Sequence, residues 1–276
     1  MFDFLVRAPF TFISLIREVN QNKNFSLAER IQAFVVLSGI FLQQRFRPQV
    51  TETVKAEIFN YNVKAYNYQT LIFLFREIFL SEAYHFKTSN KAPVIIDGGA
   101  NIGMSVLYFK ILYPHSKIVA FEPNPDALEL FQQNIENNNL QGITLIPTGL
   151  GRDAGEMLFF LDERKGGLEA SFQRLNTQRQ LKVRVEKLSE YIKVYEPELV
   201  KLDVEGAESG IMDELKLANA LAIPKQYIIE YHQPEHNREN AFADFRQMFL
   251  DAGFLYQIRN RGTASATDDL LLYFYR

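Results

Sequence analysis

Residues 94–109, VIIDGGANIGMSVLYF, hold a change of rhythm that decides how the chain folds. They open on a short apolar run of the kind a strand buried on both faces requires. The run ends at Asp97, glycine and asparagine follow, and apolar residues at helical spacing resume near Gly103. Strand, tight turn and helix in so short a span form the first half of a βαβ unit, with the turn at the carboxyl edge of the sheet, where open α/β folds hold their ligands. The small residues of the turn have mechanical reasons. Gly99 lets the backbone turn sharply and lie against a ligand, Asn101 tolerates a left-handed conformation, and Gly103 lets the helix pack close to the strand.

Working outward, the same alternation continues. Short apolar runs at 118–122, 143–147, 199–203 and 227–231 alternate with helical patterns, and runs at 255–259 and 270–275 follow. The last two lack a convincing helix between them, so they are predicted to pair antiparallel. The expected fold is α/β and Rossmann-like: a mostly parallel seven-stranded sheet with a C-terminal antiparallel hairpin, spanning residues 93–276. Residues 152–185 break the pattern, with short strands predicted at 157–161 and 182–185 around a polar, glycine-containing loop, read as a lid or substrate-side insertion. Upstream, residues 1–50 are predicted to form a helical cap, with Leu27, Ile31, Phe34, Val35 and Phe41 close to one face until Pro48 ends the pattern. Residues 51–92 supply a hairpin around Asn60 to Asn62 and an amphipathic helix marked by Leu71, Leu74, Phe75 and Ile78.

Composition narrows the function classes. A chain of 276 residues, 47% hydrophobic, can bury one sizeable core, and 30 basic against 33 acidic residues leave a net charge of −3, too little positive field for nucleic acid. The absence of cysteine rules out disulfides, thiolate metal sites and a cysteine nucleophile, and fits the cytoplasm. The opening MFDFLVRAPFTFISLI is read as retained, because Asp3 replaces a basic start and Arg7 interrupts the apolar run. The apolar run at 33–42 is far shorter than the roughly 20 residues needed to cross a bilayer. The phenylalanine-rich first segment is expected to pack against the catalytic domain, with peripheral membrane contact as its alternative use.

The spacing of the turn separates two cofactors. A dinucleotide site uses G-x-G-x-x-G to seat a pyrophosphate, whereas this chain has D-x-G-x-N-x-G. S-adenosylmethionine brings no phosphate but does bring an ammonium, a carboxylate, a sulfonium and a ribose. Asp97 is a candidate for the ammonium end, with Gly98, Gly99, Asn101 and Gly103 as the backbone cradle. Glu122 of FEPNP, about 20 residues beyond the last glycine, is placed to accept both ribose hydroxyls. Gly149 and Leu150, after the third strand, are candidates for the face of the adenine.

A second set of residues points to the transfer itself. LVKLDVEGAE gathers Lys201, Asp203, Glu205 and Glu208 at a strand end, and YIIEYH adds Glu230 and His232 from its neighbour. Asp203 is expected to position cofactor and acceptor, and Lys201 to order the acidic cluster or touch the acceptor oxygen. The structural alternative pairs Lys201 with Glu205 and leaves Glu208 to favour a helix N-terminus. His232 is the candidate general base, since an alcohol acceptor must lose its proton. Asp203, Glu230 and His232 are also permissible ligands for a divalent metal, although no metal-specific spacing appears and none is expected to be required. His85, His115 and His236 have no such setting.

Taken together, DGGANIG, FEPNP, the strand Val183, Arg184 and Val185 leading into Lys187 and Leu188, LVKLDVEGAE and IIEYH resemble the FkbM-type methyltransferases. The likeness runs from about Val54 to His232, and EIF at 77–79 resembles that family's preamble. It implies a class I methyltransferase fold, S-adenosylmethionine as donor and O-methylation of a sugar, glycan or secondary metabolite. It does not fix the acceptor. Two rival readings are a nicotinamide-dependent oxidoreductase and a non-catalytic S-adenosylmethionine-binding module in glycan assembly.

Overall fold

The computed structural model describes residues 16–17, 19–20, 26–46, 53–161, 170–171, 179–232, 238–259 and 270–276. The chain divides into two compact units, Met1–His85 with Gln132–Asn139, and Phe86–Phe131 with Leu140–Arg276. Among the described residues no helix is long and apolar enough to cross a membrane. The phenylalanine-rich first segment lies almost wholly outside the described residues.

In the first unit α1 (Leu27–Phe46) buries Ala33, Leu37 and Ile40, which follow one another at i, i+4 and i+7. Leu27, Ile31 and Val35, expected on the same face as Phe34 and Phe41, are exposed instead. The buried stripe runs through the small Ala33, which lets the helix approach its neighbours more closely than the larger aliphatic side chains would. The expected hairpin is β1 (Val54–Ile58) with β2 (Tyr61–Ala65), turning through Phe59 and Asn60 at φ 47° and 69°. Two left-handed central residues make the twist of the turn match that of its strands. Asn134 accepts from the Lys64 amide at 2.7 Å and donates to the Lys64 carbonyl at 3.0 Å; Asn138 does the same for Asn62 at 2.7 and 2.9 Å. Four helical residues rise about 6 Å and two strand residues slightly more, so asparagines at i and i+4 can satisfy the open edge of β2 as a third strand would. The helix α2 (Tyr68–Leu74) is capped by Asn67, whose side chain accepts from the Thr70 amide, and continues into a wider π-helical turn, Phe75–Leu80.

The second unit is built on seven strands: β3 (Val94–Gly98), β4 (Lys117–Phe121), β5 (Ile143–Ile146), β10 (Leu199–Leu202), β11 (Gln226–Tyr231), β12 (Leu255–Arg259) and β13 (Leu270–Tyr275). Their order is β12-β13-β11-β10-β3-β4-β5, parallel from β11 to β5, with β13 antiparallel to both β11 and β12. This is the expected class I arrangement. The intervening helices are α3 (Met104–Leu112), α4 (Pro125–Asn137), α5 (Leu188–Tyr195), α6 (Glu208–Leu217) and α7 (Arg238–Asp251). Val119, Phe121, Val200, Leu202, Tyr227, Ile229 and Phe274 from the strands meet Ile192, Ile211, Leu215, Phe245 and Phe249 from the helices in one core. The central strands β3, β4 and β10 therefore read as apolar runs rather than alternating ones, because both of their faces are covered. A smaller sheet, β6 (Gly149–Leu150), β9 (Gln180–Glu186), β7 (Gly155–Leu161) and β8 (Ala170–Ser171), carries the insertion. The loop expected to serve as a lid falls largely at 162–169 and 172–178, outside the described residues.

Candidate active site

The ends of β3, β4, β10 and β11 bring the predicted site residues to one carboxyl edge. The turn after β3 lies hard against the turn after β10. Asp203 donates its amide to the Gly98 carbonyl at 3.1 Å, and a β-carbon added at Gly99 would stand 1.8 Å from the Asp203 carbonyl oxygen. With φ at +77°, Gly99 is also in the left-handed region. Asn101, at φ 49°, accepts from the Ile102 amide at 2.8 Å with its own side chain. Gly99 and Ala100 both donate to the Phe121 carbonyl at 3.0 Å, so the turn is sewn to the end of β4.

Glu122 follows directly on β4. Only 6% exposed, its carboxylate accepts from the Asn101 amide through Oε2 and the Asn124 amide through Oε1, each at 2.8 Å. Burial pushes its pKa up to about 7, against the pull of those two amides and of the Lys201 charge. Its own amide donates to the carbonyl of Ile146 at the end of β5. Two residues beyond Ile146 the Thr148 hydroxyl is buried and meets no hydrogen-bond partner among the described residues. Leu150 is buried in the short strand β6, and Gly98 is so close that a β-carbon there would meet Leu150 and Leu202 at 3.0 and 2.7 Å.

Lys201, 1% exposed, sits beneath this turn. Its ammonium lies 3.1 Å from Asp97 Oδ1 and 3.9 Å from Asp203 Oδ2, and it donates to the carbonyls of Gly99 at 2.8 Å and Gly98 at 3.3 Å. Burial alone would favour the neutral amine, but Asp97 and Asp203 outweigh it and hold the pKa above the ordinary lysine value. Ser105 donates to the other oxygen of Asp97 at 2.5 Å. Asp97 is thus fully buried between a lysine and a serine.

The last group surrounds His232. Its Nδ1 lies 2.9 Å from Glu208 Oε1, and its Nε2 lies 3.3 Å from Glu205 Oε2 and 3.9 Å from Glu230 Oε1. Burial works against a charged imidazole, yet the hydrogen bond and charge of Glu208, followed by Glu205 and Asp203, raise its pKa to about 11. Glu208 also accepts from the amides of Val204 and Gly206 at 3.2 and 3.1 Å, clamping the turn in which Glu205 and Gly206 take φ 53° and 100°. Ligand atoms of Asp203, Glu205 and His232 all lie within 4.8 Å of one another, a spacing a divalent cation can bridge. Glu205 was weighed in the sequence only as an ion-pair partner for Lys201; here it faces His232. Ser105 carries no motif in the sequence, although a serine in the first turn of the helix after the glycines is a foreseeable partner for Asp97. His115 is exposed, and His236 lies outside the described residues.

This arrangement offers a narrow backbone cradle, a buried carboxylate beside it and a polar mouth of three carboxylates and an imidazole. Three comparisons bear on it. Residues 97–256 match the family model described as the methyltransferase FkbM domain. Methyltransferase sdnD of Sordaria araneosa is 30% identical over 51% of this chain and 67% of its own length, and the hexuronic acid methyltransferase AglP of Haloferax volcanii is 30% identical over 50% and 56%. The crystal structure of methyltransferase FkbM from Methylobacillus flagellatus KT superposes with a TM-score of 0.50 at 16% identity, over 99% of this chain and 60% of that one, a likeness of fold. The chain therefore spans between 56% and 67% of the length of these three relatives.

Proposed function

The chain belongs to the FkbM methyltransferase family, and from that premise we propose that it catalyses S-adenosylmethionine-dependent O-methylation of a hydroxyl on a sugar, a glycan or a secondary metabolite. The observation that carries the donor assignment is Glu122, a buried carboxylate held by two backbone amides at the end of β4, beside a turn where a β-carbon on Gly99 would collide with Asp203. Glu122 would take the ribose hydroxyls, Gly98, Gly99 and Asn101 the backbone contacts of the methionine part, and Thr148, Gly149 and Leu150 the adenine. No pyrophosphate spacing supports a nicotinamide cofactor. The donor supplies an electrophilic methyl group on a sulfonium that leaves as a neutral thioether, so the leaving group needs no acid.

What remains for the chain is alignment and the proton of the acceptor. Holding the reactants in line is worth roughly 7–11 kcal/mol in favourable cases. Both ring nitrogens of His232, the base expected from the sequence, face carboxylates, which suits a hydrogen-bond donor that holds Glu205 and Glu208 in place rather than a base. The proton of the hydroxyl then passes to the carboxylate of Asp203 or Glu205, both partly open to solvent. A second reading rests on the 4.8 Å grouping: a divalent cation on Asp203, Glu205 and His232 would lower the acidity barrier of the hydroxyl itself. Sugar acceptors gain support from the hexuronic acid relative. The cysteine-free composition favours a cytoplasmic setting.

Calorimetry with S-adenosylhomocysteine tests the donor site. Binding by the native chain and its loss in Glu122→Ala are expected; no heat with either donor or product ends the proposal. Transfer of labelled methyl groups into candidate glycans then separates an enzyme from a binding module.

A further inference from the structure

Lys201 is shut off from solvent, yet its described contacts reach β3, the glycine turn and Asp203 together. We infer that Lys201 is a positioning residue: it holds the carbonyls of Gly98 and Gly99, pairs with Asp97 and faces the carboxylate of Asp203 at 3.9 Å, and so helps to set the donor turn and the acceptor end in one fixed relation. This goes beyond a general ordering of acidic residues, and its link to the donor rests on the cofactor reading above.

The physical chain is short. A turn that points the Gly99 carbonyl inward needs a buried donor for it, since an unmet buried carbonyl is costly, and the Gly98 carbonyl, which already accepts from the Asp203 amide, has a second lone pair for the same ammonium. A lysine supplies three N–H groups on one nitrogen, enough for Gly99 at 2.8 Å, Gly98 at 3.3 Å and Asp97 at 3.1 Å. With those carbonyls held, the amides of Gly99 and Ala100 face the other way and both reach the Phe121 carbonyl at 3.0 Å. The next amide along the turn, that of Asn101, bonds to Glu122. Lys201 therefore orients the two amides that tie the turn to the end of β4, next to the Asn101 amide from which Glu122 accepts, without meeting the ribose. Ser105, bonded to the second oxygen of Asp97, keeps that carboxylate turned to the ammonium. Lys201 is in register with Asp97 on one side and Ile228 on the other, which fixes the base of its side chain in the middle of the sheet.

The test compares Lys201→Met with Lys201→Gln, which keeps a donor near the carbonyls. Amide hydrogen exchange on the full ligand-free chain is expected to quicken about tenfold or more at Gly99 and Ala100 in Lys201→Met, with residues 227–231 of β11 unchanged. S-adenosylhomocysteine affinity is expected to fall about tenfold or more, with part of both losses recovered in Lys201→Gln. Should Lys201→Met fail to fold around an unpaired Asp97, the double variant Asp97→Asn with Lys201→Met is measured against Asp97→Asn alone, with the same expectations. Unchanged exchange at Gly99 and Ala100, or acceleration spread equally over β11, overturns the inference. Absence of S-adenosylhomocysteine binding by the native chain counts against the cofactor reading instead, while the exchange comparison still judges Lys201.

Discussion

The carbonyl oxygen of Asp203 occupies the space in which any side chain at Gly99 would begin, 1.8 Å from its β-carbon position. The glycine turn after β3 and the turn after β10 that bears Asp203 are thus in backbone contact, and no rotamer change can relieve a substitution there. Gly99→Ala, burdened by both the collision and the left-handed φ, is expected to lose at least about 2 kcal/mol of stability, roughly 5 °C or more in melting temperature. It is also expected to lose S-adenosylhomocysteine binding. Differential scanning fluorimetry with and without that compound checks both, and a variant that melts and binds like the native chain refutes the contact.

As the proposed ligand of the ribose, Glu122 is expected to make donor binding depend on pH. Its carboxyl is raised to about 7, and only the ionised form accepts from two ribose hydroxyls. Affinity for S-adenosylhomocysteine is expected to fall roughly tenfold between pH 8 and pH 6, following the ionised fraction. A flat profile over that range would remove Glu122 from the ribose.

The same raised value has a consequence for stability. A carboxyl whose pKa rises on folding stabilises the fold fully below its unfolded value of 4.5, and that contribution is lost as pH climbs through about 7. Glu122→Gln avoids the buried charge. Its stability relative to the native chain, read from denaturant unfolding, is expected to rise between pH 5 and pH 8 by an amount on the order of 3 kcal/mol at most. A difference that stays constant, or moves the other way, contradicts the burial argument.

At the acceptor end, His232→Asn and Glu208→Gln are expected to separate binding from transfer. Methyl transfer to an identified acceptor should fall by about 10²-fold or more, while S-adenosylhomocysteine affinity stays within about threefold of the native value. Equal losses in both would make the pair a support of the donor site.

Chelation decides between the two ways of removing the proton. With Asp203 or Glu205 as the proton acceptor, EDTA is expected to leave the methyl-transfer rate unchanged. A loss restored by Mg²⁺ or Mn²⁺, and abolished together with metal binding in Asp203→Asn, would put a cation at the grouping of Asp203, Glu205 and His232 instead.

Much of this molecule was legible in its residues. The β3 run, the glycine turn and the Glu122 that ends the next strand have local causes: two-sided burial asks for continuous apolar residues, and a left-handed turn asks for glycine or asparagine. The seven strands and the terminal hairpin follow from the same periodicity. The buried face of α1 was not legible, because apolar residues lie around more than one side of it and only the neighbouring chain selects Ala33, Leu37 and Ile40.

Partnership across strands was the other thing hidden. The sequence nominated Lys201, Asp203, Glu230 and His232 from their places after apolar runs, and it gave Glu205 as an alternative partner for Lys201, because along a strand the two share a face. In three dimensions the chain turns through left-handed Glu205 and Gly206 before that face can continue, sending Glu205 to His232 and leaving Lys201 to Asp97 and the glycine carbonyls. Local residue types determine where strands stop and turns begin; which charge meets which depends on how parallel strands far apart in sequence are laid side by side, and that only the folded sheet decides.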